Sequence, residues 1–576
     1  MSKQLTVSVG QYSDKGVKEI NQDFHGVWIP DEPQLSAKGI AVALADGISS
    51  SSVSQIASEA AISGFLADYY CTSEAWTVKK SAQRVLIATN SWLHAQTQQS
   101  QYRYDKDRGF VCTFSALIFK ATTAYLFHVG DARIYRVAGK GLEQLTQDHR
   151  VWVSQQQSHL ARALGINQQL EIDYQALSVE QGDTFLLATD GVYEFVSPAF
   201  ITQTIAEQQT DLNAAAKLIV VEALAQGSDD NLTVQVVRVD SLPSLDEASN
   251  RLANQAFAQL PLPPVLEPRM VFDGYRIMRE VHVSSRSHVY LALDEASATQ
   301  VILKTPSIDL GGDAAYLERF MLEEWIARRL NSPHVLKPCS VERPRNYLYV
   351  VTEYVEGQTL RQWMIDNPAP GLEQVRGIVE QIAKGLQAFH RMEMLHQDLR
   401  PENIMIDTTG TVKIIDFGST RVAGLMEMAA PQIQEQMLGT LQYSAPEYFL
   451  GESGTPRSDL FSLASITYQM LTGKLPYGAQ VAKARTRAAQ NKLVYQTVLH
   501  EDREIPAWID DVLKRALQPN PYKRYEALSE FVFDLRKPNQ AFLSRTRPPL
   551  MERNPLLFWK SLCFVLVMVI AALLAQ

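Results

Sequence analysis

Apolar positions along the chain fall into three regimes. Over the first 240 residues short apolar runs recur: LTVSVG (5–10), GIAVALAD (39–46), TFSALIF (113–119), AYLFHV (124–129) and ARIYRV (132–137). Their length and β-branched content predict strands. Two longer segments, Val53–Tyr70 and Lys79–Gln98, carry apolar residues at helical spacing (Val53, Ile56, Ala57, Ala60), which predicts two helices. Strands, then helices, then strands read as a layered α+β domain. From residue 271 the pattern restarts with YRIMREV, HVYLALD and QVILKTP and turns mainly helical after Leu360, a small β lobe followed by a larger helical one. The third regime is LLFWKSLCFVLVMVIAALLA, Leu556 to Ala575, with Lys560 as its only charge. At about 1.5 Å per residue such a helix spans the roughly 30 Å hydrocarbon core of a bilayer. The fold class is therefore multidomain α+β with a single C-terminal transmembrane helix.

Two Pro-rich stretches separate these regimes. One surrounds PLPPVLEP (261–268), with a short helix predicted around Leu245–Leu260; the other contains RTRPPLMERNP. Such composition predicts extended tethers rather than packed core. The expected organisation is a first domain over 1–240, a linker over 241–270, a second domain over 271–537, a basic, Pro-rich tether over 538–555 and the span over 556–575. Arg545, Arg547, Arg553 and Lys560 precede or enter the span, so the positive-inside rule places both domains in the cytoplasm.

Composition narrows the function. The 576 residues are 46% hydrophobic and 20% charged, which excludes a disordered, collagen-like or coiled-coil protein. A net charge of −9 without a basic stripe argues against a nucleic-acid partner. The four cysteines form no CxxC pair, so neither a disulfide framework nor a cysteine zinc site is expected, and a reducing compartment fits. The opening residues, MSKQLTVSVGQYSDKG, lack the apolar core of a signal peptide.

In the first domain four aspartates end apolar strands or sit in turns: Asp23 in INQDF, Asp46 in ALADG, Asp190 in LLATDG and Asp230 in SDDNLTV. Carboxylates so placed can converge on one sheet edge and hold hard divalent cations. Gly47 and Gly191 follow two of them and let backbone approach closely. A single Asp-Gly is more often just a turn.

The ordered set GVKEINQD, ADGIS, FVCTFSALIF, VGDARIY, LTQDH, ARALG, LLATDGVYEF and SDDNLTV resembles the metal-dependent Ser/Thr protein phosphatases of type 2C. The resemblance implies an αββα sandwich with a binuclear Mn²⁺ or Mg²⁺ centre. Asp46 would bridge the ions, the Gly47 carbonyl would bind one, and Asp190 and Asp230 the other. Asp23 would order water, and Asp131, Asp190 and Glu194 would hold a weaker third ion. Two cations about 3.5–4 Å apart activate a water for in-line attack on phosphorus. Three positions depart from the family. Lys18 stands where an arginine normally grips phosphate, keeping the charge and losing the bidentate fork. Gln22 replaces an acidic residue, and Ile48 replaces the histidine of animal enzymes, which leaves leaving-group protonation to water. His149 and Cys112 read as structural residues, the cysteine buried in an apolar strand.

The second domain resembles the eukaryotic-type Ser/Thr protein kinases. Lys304 in VILKTP would grip ATP phosphates and pair with Glu323 in RFMLEEWIARRL, Glu324 being the weaker candidate by register. HQDLRPEN supplies Asp398 for the substrate hydroxyl and Asn403 for Mg²⁺; DFG supplies Asp416 for Mg²⁺. Glu447 in APE, Arg524 in PYKRY and Asp459 match structural ties of the helical lobe. The nucleotide loop departs: HVSSRSHV (282–289) puts His282, Ser284 and Ser287 where glycines belong. Glycine lets backbone N–H groups close over phosphates, so weakened nucleotide binding is expected, with the serine hydroxyls as substitute donors. Gln397 replaces the arginine before the catalytic aspartate that would receive an activation-loop phosphate. Between Gly418 and Gly439 only Ser419 and Thr420 could be phosphorylated. Activity not gated by activation-loop phosphorylation follows.

Together these resemblances imply a bacterial, inner-membrane-tethered protein that removes phosphate from Ser/Thr in proteins with one domain and adds it from ATP with the other. Its partners would be protein and phosphoprotein substrates, self-dephosphorylation being one arrangement the fusion allows. Two alternatives stand beside it: an active phosphatase regulated by a nucleotide- or client-binding pseudokinase, and a scaffold that only recognises phosphoproteins. The retained metal-ligand sets argue against the scaffold.

Overall fold

The structure, a computed structural model, describes residues 4–139, 141–154, 157–243, 260–284, 286–308, 313–339, 344–427, 442–499, 504–545 and 555–574. The helix predicted around Leu245–Leu260 lies almost wholly outside them.

The first domain is built on two five-stranded antiparallel sheets. One runs in the order Thr6–Asp14, Leu232–Ser241, Thr184–Ala188, Arg133–Ala138, Gly141–Gln144. The other runs Asp173–Ser178, Thr123–Val129, Phe114–Lys120, Ile40–Ala45, Phe24–Trp28. The strand Ile40–Ala45, IAVALA, shows why its run is apolar without interruption. Ile40, Val42 and Leu44 enter the core between the sheets, while Ala41, Ala43 and Ala45 face the helices Ser54–Cys71 and Val78–Gln99. Small alanines let the helix bearing Ala57, Ala61 and Phe65 approach closely. On the other sheet Leu232, Val234 and Val236 pack under the helix Leu212–Ala225. Helices outside and two sheets inside make the αββα sandwich that the resemblance implied. All five predicted strands and both helices are present, with ends shifted by a few residues.

The second domain opens with a five-stranded sheet, Val271–Phe272, Tyr275–Val283, Ser287–Asp294, Thr299–Pro306, Val350–Glu353, covered by the helix Ala314–Arg329. The helical lobe surrounds Pro456–Thr472, which is buried on nearly all sides, begins with Pro at its first turn and stops at Gly473 (φ 72°). Leu372–Arg391 buries Val375, Ile378, Val379, Ile382, Leu386 and Phe389 at i, i+3, i+4 spacing.

The linker differs from expectation. Leu266 is buried in the small-lobe core, Leu260 and Leu262 pack beside Phe320, and the Leu348 N–H donates to the Pro261 carbonyl at 3.0 Å. Apolar side chains between the prolines dock this stretch, so 260–268 belongs to the small lobe. The last helix, Pro555–Leu574, exposes Trp559, Phe564, Val565, Val567 and Ile570. Part of its side chains falls outside those described, and among the described residues no helix is long and apolar enough to cross a membrane.

Candidate active sites

Five strands deliver the aspartates to one end of the sandwich. Asp46 follows Ile40–Ala45, Asp190 follows Thr184–Ala188 by two residues, Asp230 precedes Leu232–Ser241, Asp23 precedes Phe24–Trp28, and Asp131 sits in the turn before Arg133–Ala138. Asp46, Gly47, Asp131, Asp190 and Asp230 line one open cavity of about 510 Å³. Backbone around Asp46 is fixed by Thr113, whose hydroxyl accepts from the Asp46 N–H and whose own N–H donates to the Asp46 carbonyl, both at 2.8 Å. A side-chain carbon on Gly191 would lie 2.2 Å from the Asn231 carbonyl, and one on Gly47 2.8 Å from that of Gln22. The close approach expected of these glycines is thus real.

Asp23 lies behind Asp46 and accepts from the Thr189 hydroxyl at 3.0 Å. Burial, more than its acidic neighbours, pushes its carboxyl up to about 7. Burial and then the repulsion of Asp23, Asp190, Asp131 and Asp230 push Asp46 well above the carboxylate range. Asp190 is raised to about 6 by burial and Asp131, against the pull of Arg150.

Arg150 is the residue that sequence reading missed. Its guanidinium contacts Asp131, Asp190 (2.5 Å) and Glu194 (3.0 Å), the three side chains assigned to a third ion. Among the described residues no group of three or more His, Cys, Asp or Glu side chains is arranged to hold an ion as it stands. The donor set still fits hard cations: an oxygen-only cluster, a solvent-open cavity, and Asp23 Oδ1 buried with no hydrogen-bond partner. Lys18 stands at the rim, 3.5 Å from Asp230 and about one-third exposed, open to a phosphate. His149 is tied into the scaffold, its Nδ1 accepting from Gly130 N–H at 3.1 Å and its Nε2 3.0 Å from Asp173. Cys112 is fully buried, which pushes its thiol up.

In the second domain Lys304 Nζ lies 2.7 Å from Glu323 Oε2 and 3.9 Å from Asp416 Oδ1. Against the effect of burial, these carboxylates hold the lysine protonated, and Lys304 and the Gly418 N–H hold Asp416 ionised. Glu324 instead pairs with Arg345 and Arg328, which settles the register in favour of Glu323. Asn403 Nδ2 donates to the Asp398 carbonyl at 2.9 Å. Asp459 accepts from His396 N–H and Gln397 N–H, both at 3.1 Å, and so braces the catalytic loop, in which Gln397 takes a positive φ of 65°. Arg524 and Glu447 form a two-pronged pair at 2.8 and 2.7 Å with almost no exposure.

The nucleotide loop carries its own hydrogen-bond network. Ser284 Oγ accepts from Ser287 N–H at 3.0 Å and from Arg286 N–H at 3.2 Å, and lies 3.1 Å from the Ser287 carbonyl. Ser287 pairs with Pro306 in the sheet. The serine hydroxyl closes its own hairpin, because the short connection brings donors and acceptor together locally.

An aspartate-lined cavity and a Lys304–Glu323–Asp416 ion-pair set thus stand on one chain. Residues 11–226 match the family model of protein phosphatase 2C, and residues 275–531 that of the protein kinase domain. The serine/threonine-protein kinase PrkC of Bacillus subtilis (strain 168) is 27% identical over 270 residues, 46% of this chain and 41% of its own length. A probable serine/threonine-protein kinase PknB of Bifidobacterium longum (strain NCC 2705) is 31% identical over 278 residues, 45% of this chain and 39% of its own length. The chain therefore spans less than half the length of these curated relatives. Among solved structures, the catalytic domain of the serine threonine protein phosphatase PstP, in complex with two manganese ions, is 25% identical with a TM-score of 0.34, covering 41% of this chain and 100% of that one. The chain is a fusion of a type 2C phosphatase domain and a Ser/Thr protein kinase domain.

Proposed function

We propose that the protein is bifunctional, hydrolysing phosphoserine and phosphothreonine in proteins with its first domain and phosphorylating Ser/Thr from ATP with its second. The observation that carries the reading is the assembly, in one chain, of the aspartate-lined cavity and of the Lys304–Glu323–Asp416 ion-pair set beside Asp398. In the phosphatase, Asp46, the Gly47 carbonyl, Asp190 and Asp230 would hold Mn²⁺ or Mg²⁺. Ions bound there would polarise the phosphoryl group and supply an activated water. Lys18 orients the phosphate by charge, and Thr113 and Thr189 hold Asp46 and Asp23 in place. In the kinase, Lys304 binds nucleotide phosphates, Asn403 and Asp416 would hold Mg²⁺, and Asp398 orients the acceptor hydroxyl.

Attachment to a bacterial inner membrane through residues 556–575, with both domains cytoplasmic, is part of the proposal. The apolar surface exposed by Trp559, Phe564, Val565, Val567 and Ile570, and the basic residues before it, support it. Flotation of the full chain with phospholipid vesicles tests this: it should float, and a chain ending at Lys537 should not. Mn²⁺-dependent hydrolysis of p-nitrophenyl phosphate tests the phosphatase. It should be abolished by Asp46→Ala and unaffected by Asp398→Ala; hydrolysis indifferent to Asp46 would refute the site.

The self-closed Ser284 hairpin favours a second reading, in which the kinase domain binds nucleotide or client without transfer. The intact Lys304, Asp398 and Asp416 favour transfer.

A further inference from the structure

The helix Val78–Gln99 of the phosphatase begins VKKSAQ and has no acidic residue in its first turn, where the free N–H groups and the helix dipole call for one. The kinase domain supplies two. Glu393 accepts from Thr77 N–H at 2.7 Å and from the Thr77 hydroxyl at 3.0 Å, and Glu427 accepts from Val78 N–H at 3.0 Å. Lys120, the last residue of a fully buried phosphatase strand, donates to the Gly424 carbonyl at 2.8 Å and pairs with Glu427 at 3.1 Å. Gly424 N–H donates in turn to the Ala75 carbonyl at 3.0 Å, and a side chain at Gly424 would meet the carbonyls of Glu74, Ala75 and Trp76 at 2.7–2.8 Å. Ala75 itself is buried within the kinase core.

Three parts of the kinase that set its catalytic geometry meet this one loop. Gly424 and Glu427 lie just beyond the Asp416–Gly418 motif. Arg391, whose carbonyl accepts from Trp76 Nε1 (3.0 Å) and Lys80 Nζ (2.7 Å), lies just before the catalytic loop. Arg329 ends the helix that carries Glu323 and pairs with Glu74 at 2.6 Å. With these contacts made, the Lys304–Glu323 pair is closed. The kinase has Gln397 where a phosphate-reading arginine would stand, and Thr420 is buried. A cation for the start of the activation segment comes from the other domain instead.

We propose that the phosphatase loop 72–78 together with Lys120 is an activating surface for the kinase domain of the same chain, clamping Gly424, Glu427 and Arg329 in the transfer-competent arrangement in place of activation-loop phosphorylation. Burial makes the pair strongly coupled: Lys120 is 1% and Glu427 15% exposed, so removing either partner leaves a charge enclosed without its counter-ion. The proposal rests on the kinase reading above, and its test separates the two.

The test uses the full chain carrying Asp46→Ala, so that the phosphatase does not erase the label, and reads γ-phosphate transfer from ATP. This parent must transfer; if it does not, the kinase reading fails on its own. Given transfer, Lys120→Met and the double variant Trp76→Ala, Lys80→Ala should each lower the rate at least tenfold. In chains with Asp46 intact the same substitutions should leave p-nitrophenyl phosphate hydrolysis within twofold, showing that the phosphatase still folds. Exchanging the charges, Lys120→Glu with Glu427→Lys, should recover part of the transfer that Lys120→Glu alone loses. Unchanged or increased transfer in the Trp76, Lys80 double variant would overturn the proposal, as would failure of the exchange to recover any activity while hydrolysis persists.

Discussion

Arg150 places a guanidinium nitrogen 2.5 Å from Asp190 Oδ2 while contacting Asp131 on the same side. A fixed cation thus occupies the carboxylates that a weakly held third ion would need, and it offsets part of the repulsion that raises Asp190. Arg150→Met should increase the number of Mn²⁺ ions bound or tighten the weakest one, measured by calorimetry on chains with Asp398→Ala. The same binding curve before and after the substitution would show that the guanidinium leaves those carboxylates when ions bind.

The Glu447–Arg524 pair is enclosed in the helical lobe, with Ser458 donating to Glu447 at 2.7 Å and backbone carbonyls accepting from the remaining guanidinium N–H groups. Breaking such a pair leaves an uncompensated charge at a cost of about 3–5 kcal/mol. Arg524→Ala should therefore lower the kinase-domain melting transition and leave Mn²⁺-dependent hydrolysis largely intact; an unchanged melting profile would contradict the assignment.

His128 is fully buried between Ser115 (2.9 Å), the Gln147 carbonyl (3.1 Å) and His149. Burial and then His149 lower its pKa from 6.5 to about 4. The folded state binds this proton less well than the unfolded chain does, so the contribution is complete above pH 6.5 and is lost as pH falls towards 4. The difference corresponds to a few kcal/mol, on the order of 1.4 kcal/mol per pKa unit. Chemical denaturation of parent and His128→Gln between pH 7 and 4 should show a shallower acid loss in the variant; parallel profiles would refute the role.

Thr420 is buried, and its hydroxyl has no hydrogen-bond partner, so neither a kinase nor a phosphatase can reach it in this arrangement. Thr420→Ala should retain γ-phosphate transfer within about twofold, since removing an unpaired buried hydroxyl is nearly neutral. Loss of all transfer would mean that phosphorylation here gates the enzyme after all.

Much of this architecture is legible in the sequence because the signals are local. IAVALA announces a doubly buried strand, and the Asp-Gly turns at 46 and 190 mark strand ends facing one edge. Glu323 and Glu324 are distinguishable by register alone, since only one face of the helix meets Lys304. Arg150 escaped because its partners lie 19, 40 and 44 residues away in the chain and nothing local in TQDHR marks it. Lys120 escaped for a similar reason: its counter-ion is Glu427, in another domain. The PLPPVLEP stretch reads as a tether from its prolines, yet Leu266 finds a core to enter. Ser284, read as a substitute donor to a ligand, has its hydroxyl bonded within its own turn, a local network that its position in HVSSRSHV does not announce.

Whether one chain carries both activities turns on its kinase half. The measurement is transfer of γ-phosphate from ATP by the full chain carrying Asp46→Ala, with Mg²⁺ or Mn²⁺, on itself and on generic protein acceptors. Transfer to Ser/Thr should occur and should disappear when Asp398→Ala is added. Absence of transfer with either ion, while the nucleotide still binds, would contradict the bifunctional reading and identify the second domain as a silent regulator of the phosphatase.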